Sequence, residues 1–95
     1  TAVVFDSDVM AIAGLRAAQE RRIAVPSALS IASFDDSTVA ALVHPSITAM
    51  TRDTFGLGAD AANFLIEQIA APAPLPDRSG SVPVLTVRES TSPAG

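Results

Sequence analysis

The sequence predicts a layered α/β fold built on a parallel sheet, and three observations carry that prediction. First, short apolar runs end abruptly in acids and hydroxyls: Thr1-Ala2-Val3-Val4-Phe5 before Asp6-Ser7-Asp8, and Ser30-Ile31-Ala32-Ser33-Phe34 before Asp35-Asp36. A buried parallel strand whose carboxyl end opens onto a site reads this way. Second, long helical patterns fall between such runs, in the order βα-β-β-α-β. Third, 48% of the residues are hydrophobic but only 4% aromatic, so the core must be mainly Ala, Val, Ile and Leu. With 95 residues the chain is one domain or part of one. That size buries roughly 60–65% of its unfolded surface, enough for a core without staples.

Each element follows from local signals. The first strand is Ala2–Phe5, and Asp8 is the expected N-cap of a helix over Val9–Arg22, because its carboxylate can accept from free N–H groups of the first turn. Arg21-Arg22 suits the negative end of that helix. A helical wheel puts Met10, Ala11, Gly14, Ala17 and Ala18 against the sheet and leaves Val9 and Ile12 among polar residues. Pro26 breaks the connector, and the second strand follows at Leu29–Phe34. Ser37–Val43 reads as a short helix or turn, and Ile47–Met50 as the third strand. Asp53 or Thr54 caps a second long helix over Phe55–Ala71, with Leu57, Ala61, Phe64, Leu65 and Ile69 as its apolar stripe. Pro72-Ala73-Pro74-Leu75-Pro76 stops it, and Asp77–Ser81 is a surface loop. A last strand, Val82–Val87, precedes a small polar tail, Arg88–Gly95, that looks like a natural carboxyl terminus.

Composition excludes several functions. Without cysteine there is no disulfide framework, thiolate metal site or thiol nucleophile. The six basic residues are all Arg and the net charge is −4, so this stretch does not bind nucleic acid by itself. No apolar run approaches the roughly 18 residues of a membrane span. The chain opens directly on a strand, which points to an amino terminus further upstream. His44 is a lone histidine beside Pro45, suited to a turn or interface, and no ligand pair at i, i+4 spacing is present, so no metal is expected.

In open α/β sheets ligands gather outside the carboxyl ends of the strands, where Asp35 and Asp36 lie. An ionised carboxylate can accept from two neighbouring hydroxyls, and Asp35 is the expected ligand contact. Side-chain alternation leaves Asp36 the capping role.

Several stretches together resemble the lactose- and galactose-repressor-type transcription regulators. Thr1-Ala2-Val3-Val4-Phe5-Asp6-Ser7-Asp8-Val9-Met10-Ala11 is similar to their "TAvfaxNDxMA" signature. Val25-Pro26 with Leu29-Ser30-Ile31 and Phe34-Asp35-Asp36 resembles "VPxdlSvvGfDD". Pro45-Ser46-Ile47-Thr48 resembles "PxLTT", Leu57-Gly58 the "LG" of the next helix, and Val87-Arg88-Glu89-Ser90-Thr91 the ending "vvRxST". The resemblance implies that residues 1–95 are part of the C-terminal lobe of an effector-binding region with a periplasmic-binding-protein-like type I fold. It further implies a helix-turn-helix domain and an N-terminal lobe outside these residues, a cytoplasmic location and no cofactor. The implied partners are a carbohydrate effector, a second copy of the chain, and operator DNA reached only through the missing domain.

Three departures bear on the site: Ser7 replaces the usual Asn, Ser33 the usual Gly, and Arg52 a frequent Gln. Ser7 and Arg52 fall near the family's effector pocket. Arg52 would then favour an anionic effector or pair with Asp35, Asp36 or Asp53. Val9, Ile12, Leu42 and Val43 correspond to the family's subunit interface, which agrees with Val9 and Ile12 standing on the polar side of the wheel and implies a two-fold dimer.

Two other functions were weighed. Asp6-Ser7-Asp8 superficially resembles the "DxD" of haloacid-dehalogenase-type phosphatases, but that chemistry needs a Lys and the chain has none. A periplasmic or lipoprotein sugar receptor shares the fold, while the Ser-Phe-Asp-Asp segment and Arg-Glu-Ser-Thr ending favour a regulator. A scaffold without ligand is the third reading.

Overall fold

The computed structural model describes residues 1–94. Its elements are β1 (Ala2–Phe5), α1 (Asp8–Glu20), β2 (Ser30–Ser33), α2 (Thr38–Leu42), β3 (Thr48–Thr51), α3 (Thr54–Ala70) and β4 (Val84–Thr86). The chain's contacts divide it into two compact units. Unit 1 is Thr1–Thr51 together with the segment from Val84 onward, and unit 2 is Arg52–Pro83.

Unit 1 holds a four-stranded sheet in the order β1-β2-β3-β4. β1, β2 and β3 are parallel, whereas β4 runs antiparallel to β3. The sheet is therefore parallel-dominated, not wholly parallel.

α1 covers one face of the sheet with Ala11, Leu15 and Ala18, which are buried; Ala11 and Leu15 join a core with Ile31, Ala40 and Ile47. This corrects the expected face. Met10 is 53% exposed, and Leu15 takes the central place that the wheel had given to smaller residues. Phe5 also packs against this core, and its ring lies where a Cβ on Gly14 would stand, 2.3 Å from the nearest ring carbon. The helix approaches the strand because position 14 carries no side chain.

The helix ends follow local chemistry. Ser7, not Asp8, is the N-cap of α1, its Oγ accepting from the Met10 N–H at 3.2 Å. Asp8 becomes the first helical residue, where its charge still meets the positive helix end. Ser37 caps α2 by accepting from Ala40 N–H at 3.1 Å, and Asp53 caps α3 by accepting from Gly56 N–H at 2.9 Å. α1 closes through a left-handed Arg22 (φ 57°), with Ile23 N–H donating to Ala18 O at 2.8 Å and Arg22 N–H to Gln19 O at 3.0 Å. Those are the two bonds of a Schellman end, here without the usual glycine.

The polar tail is tied into the sheet. Ser90 is fully buried between β2 and β3, donating to Ile31 O and accepting from Thr48 N–H at 2.9 Å. Its own backbone carbonyl accepts from Ile31 N–H at 2.9 Å, and its N–H donates to Ser46 O at 2.9 Å. The Ser-Thr pair near the end of the chain thus substitutes for ladder bonds that two diverging strands cannot make to each other, and Thr91 adds a hydroxyl contact to Thr48 at 2.7 Å.

Unit 2 is α3 and the proline-rich segment after it. Gln68 ties the two together, its side-chain oxygen accepting from Leu75 N–H at 2.9 Å. Arg78 lies 4.8 Å from the centroid of the Phe64 ring and pairs with Glu67. Although α3 has the broad apolar stripe read from the sequence, none of its residues is buried. No helix among the described residues is long and apolar enough to cross a membrane.

Candidate functional site at the strand ends

The parallel pairing of β1 with β2 sets Phe5 beside Ser33, so Ser7 and Asp35 each stand two residues beyond the same rung of the sheet. Phe34 N–H donates to Phe5 O at 2.9 Å and extends the ladder to the rim. Asp6, Ser7, Phe34, Asp35 and Asp36 therefore share one carboxyl-end edge, as the two acid-terminated runs had predicted.

The two adjacent aspartates have different lives. Ser33, almost fully buried, donates its hydroxyl to Asp35 O at 2.8 Å and accepts from Asp35 N–H at 3.1 Å. The Asp35 backbone is thereby fixed in a tight turn, while its exposed carboxylate accepts no hydrogen bond from the described residues. This turn gives Ser33 a task of its own where the repressor-type pattern has Gly.

Asp36 is committed. Its Oδ1 accepts from Arg88 Nη1 at 2.7 Å and from Ser37 N–H at 2.8 Å. Its Oδ2 accepts from Arg88 Nη2 at 2.8 Å and from the Thr51 hydroxyl at 2.8 Å. The pair is mostly shielded, with Arg88 18% and Asp36 14% exposed. The Arg88 hydrogen bonds hold the Asp36 carboxyl at about 2, below its ordinary 3.8, against a smaller opposing effect of burial. Bidentate geometry of this kind is the strong form of a carboxylate–guanidinium contact.

The other expected site residues divide. The Ser7 oxygen serves the α1 cap, yet its hydroxyl hydrogen remains available to the rim. Arg52 is exposed, opens unit 2 directly after β3, and makes no ion pair among the described residues. The arginine that pairs with the aspartate doublet is Arg88 instead. His44 is an exposed turn residue with Nδ1 3.7 Å from Glu89. Of the expected interface residues, Val9 and Leu42 are 70% and 77% exposed, whereas Ile12 and Val43 lean on the core. Ile12 sits on the flank of α1, not on its outer side.

Sequence reasoning missed Arg88, Thr51 and Thr86 as neighbours of the doublet, and Phe34 as a rim residue with 55% of its surface exposed. The signal for Phe34 was present: an aromatic residue at a strand's carboxyl end, next to two acids. A cleft of about 470 Å³ lies within unit 2 between α3 and the loop at Arg78–Gly80, and none of the strand-end residues lines it. Its lining combines Leu57, Ala61 and Phe64 with the acids Asp60 and Glu67, and Glu67 is paired with Arg78.

Comparison with known proteins shows the family and the fold. Residues 1–91 match the periplasmic binding protein-like domain. The HTH-type transcriptional regulator GalR of Streptococcus thermophilus is 40% identical over 85 residues, covering 90% of this chain and 26% of the regulator. Among solved structures, a LacI family transcriptional regulator from Bifidobacterium animalis subsp. lactis superposes with a TM-score of 0.92 at 36% identity, over 100% of this chain and 35% of that one. A complex of the transcriptional regulator CelR with cellobiose gives 0.85 at 34% identity, over 94% of this chain and 27% of that one. The chain thus spans between a quarter and about a third of the length of the relatives it matches.

Proposed function

Because this chain belongs to the periplasmic-binding-protein-like domain family, on its LacI/GalR-type branch, we propose that it is the effector-sensing and dimerising part of a DNA-binding transcription regulator. Residues 1–95 are assigned to the C-terminal part of the effector region, and operator contact to a helix-turn-helix domain outside them. The effector is a sugar-like molecule, met at the strand-end rim. One observation carries this reading: at the carboxyl end of β2 one carboxylate is free, on a backbone fixed by Ser33, and its neighbour is locked, so the end of this strand presents one acceptor for a pair of hydroxyls. Ser7 and Arg52 are proposed as further contacts, the first through its hydroxyl hydrogen and the second through a guanidinium without an ion-pair partner among the described residues. The relatives named above are regulators, and this chain is read as one of them rather than as an enzyme or a transport receptor.

The test is calorimetric titration of the complete protein with cellobiose, the sugar bound by the related CelR, and then with a panel of other mono- and disaccharides. Asp35→Asn should weaken the sugar that binds by about 10- to 100-fold, the worth of a charge-assisted hydrogen bond, with no change in melting temperature. Equal affinity in the variant would remove Asp35 from the site.

A further inference from the structure

We propose that Asp36, held by Arg88 and Thr51, couples the effector rim to the two points at which the chain leaves and re-enters unit 1. This rests on Asp35 being the effector contact. The chain passes out of unit 1 after Thr51 and returns at Val84, and these two residues are directly paired in the sheet. Thr51 Oγ1 donates to Asp36 Oδ2 at 2.8 Å and also meets the Thr86 hydroxyl. Arg88, two residues beyond Thr86, grips both Asp36 oxygens and donates to Ile47 O at 2.8 Å. Both exit strands are therefore wired to the residue next to the free carboxylate.

Slack is what would break such a linkage, and little is present. Each Asp36 oxygen accepts two bonds, so the carboxylate cannot move without displacing Arg88 or Thr51. On the other side the Ser33 hydroxyl binds the Asp35 N–H and carbonyl. A displacement of Asp35 on binding hydroxyls is passed along the shared peptide to Asp36, not absorbed in the turn. Coupling between sites needs a contiguous, stiff element that both can bias, and this cluster is one.

Hydrogen exchange in the complete protein tests it, with cellobiose or the first sugar of the panel to bind. In the wild type, the sugar should slow exchange of the amides at residues 48–51 and 84–88 by about fivefold or more, the usual lower range of coupling between sites. Asp36→Asn should keep sugar affinity within about threefold yet reduce that slowing to less than about twofold. Thr51→Val, which keeps the strand and the Arg88 grip but removes the hydroxyl link, should do the same at the first segment. If either variant shows the full wild-type slowing, the coupling is absent. If both lose affinity in parallel with Asp35→Asn, Asp36 only positions its neighbour and the coupling is again overturned. If no sugar binds the wild type, the effector reading falls and takes this inference with it.

Discussion

Asp36 and Arg88 decide the character of the rim, and their pairing has a consequence in pH. The folded Asp36 carboxyl lies at about 2, below its ordinary 3.8, so the unfolded chain takes up a proton more readily than the folded one. The resulting stabilisation is fully present above about pH 4 and is lost as pH falls through 2. The shift corresponds to on the order of 2 kcal/mol. Thermal melts from pH 5 to pH 2 should show this loss in the wild type. Arg88→Met removes the largest cause of the low value and leaves burial, which acts in the opposite sense. Its melting temperature should start lower at pH 5 and decline less between pH 4 and 2. Parallel curves for the two proteins would show that the pair contributes nothing to acid stability. None of this was legible in the sequence, because the partners are 52 residues apart and no local pattern links them. Asp35 was legible, since its placement follows from a strand ending and nothing more.

Elements were easier to read than their faces. Every strand and helix lies where periodicity placed it, and the caps at Asp53 and Ser37 fall at the expected boundaries. The error at α1 was rotational. A wheel that weights small residues put Met10 inward, but the sheet needed volume, and Leu15 supplies it between Ala11 and Ala18. The structural part played by the polar tail was not legible, because the burial of Ser90 depends on the gap between β2 and β3. Gly14 is the position where sequence and packing disagree most sharply. By propensity alone Gly14→Ala should stabilise the helix by about 1 kcal/mol. The new methyl would stand 2.3 Å from the Phe5 ring, however, so the ring, the strand or the helix must shift. Overpacking of this kind costs about 1–3 kcal/mol, and the net effect should be a loss of stability in urea denaturation. Phe5→Leu in the same chain should recover part of that loss, because the shortened side chain vacates the methyl's space. A more stable Gly14→Ala single variant would mean that the ring moves freely and does not hold α1 to β1.

At the scale of the whole molecule, charge and hydrophobic surface point in one direction. With six Arg against ten acids and a net charge of −4, these residues are poorly suited to neutralising phosphates, which is why operator contact is proposed for a domain outside them. What unit 1 does offer is an apolar surface on α1 and α2, which pack against each other and display Val9 and Leu42 to solvent. Met10 and Val39, also more than half exposed, belong to the same two helices. In the proposed dimer, two copies related by a two-fold axis would bury these same residues against each other. Ile12 and Val43 lean on the core, so a charge there would disturb the fold and the association together. Leu42, 77% exposed on the last turn of α2, separates the two. Leu42→Arg should leave the melting temperature of dilute protein unchanged, because no core contact is lost. In the dimer it would bury an unpaired guanidinium near its two-fold mate, at a cost of about 3–5 kcal/mol, which raises the dissociation constant at least about 100-fold. Sedimentation equilibrium of the complete protein measures this directly. A variant that stays dimeric at the wild-type concentration would move the subunit interface away from α1 and α2, and the exposed apolar residues there would need a different partner.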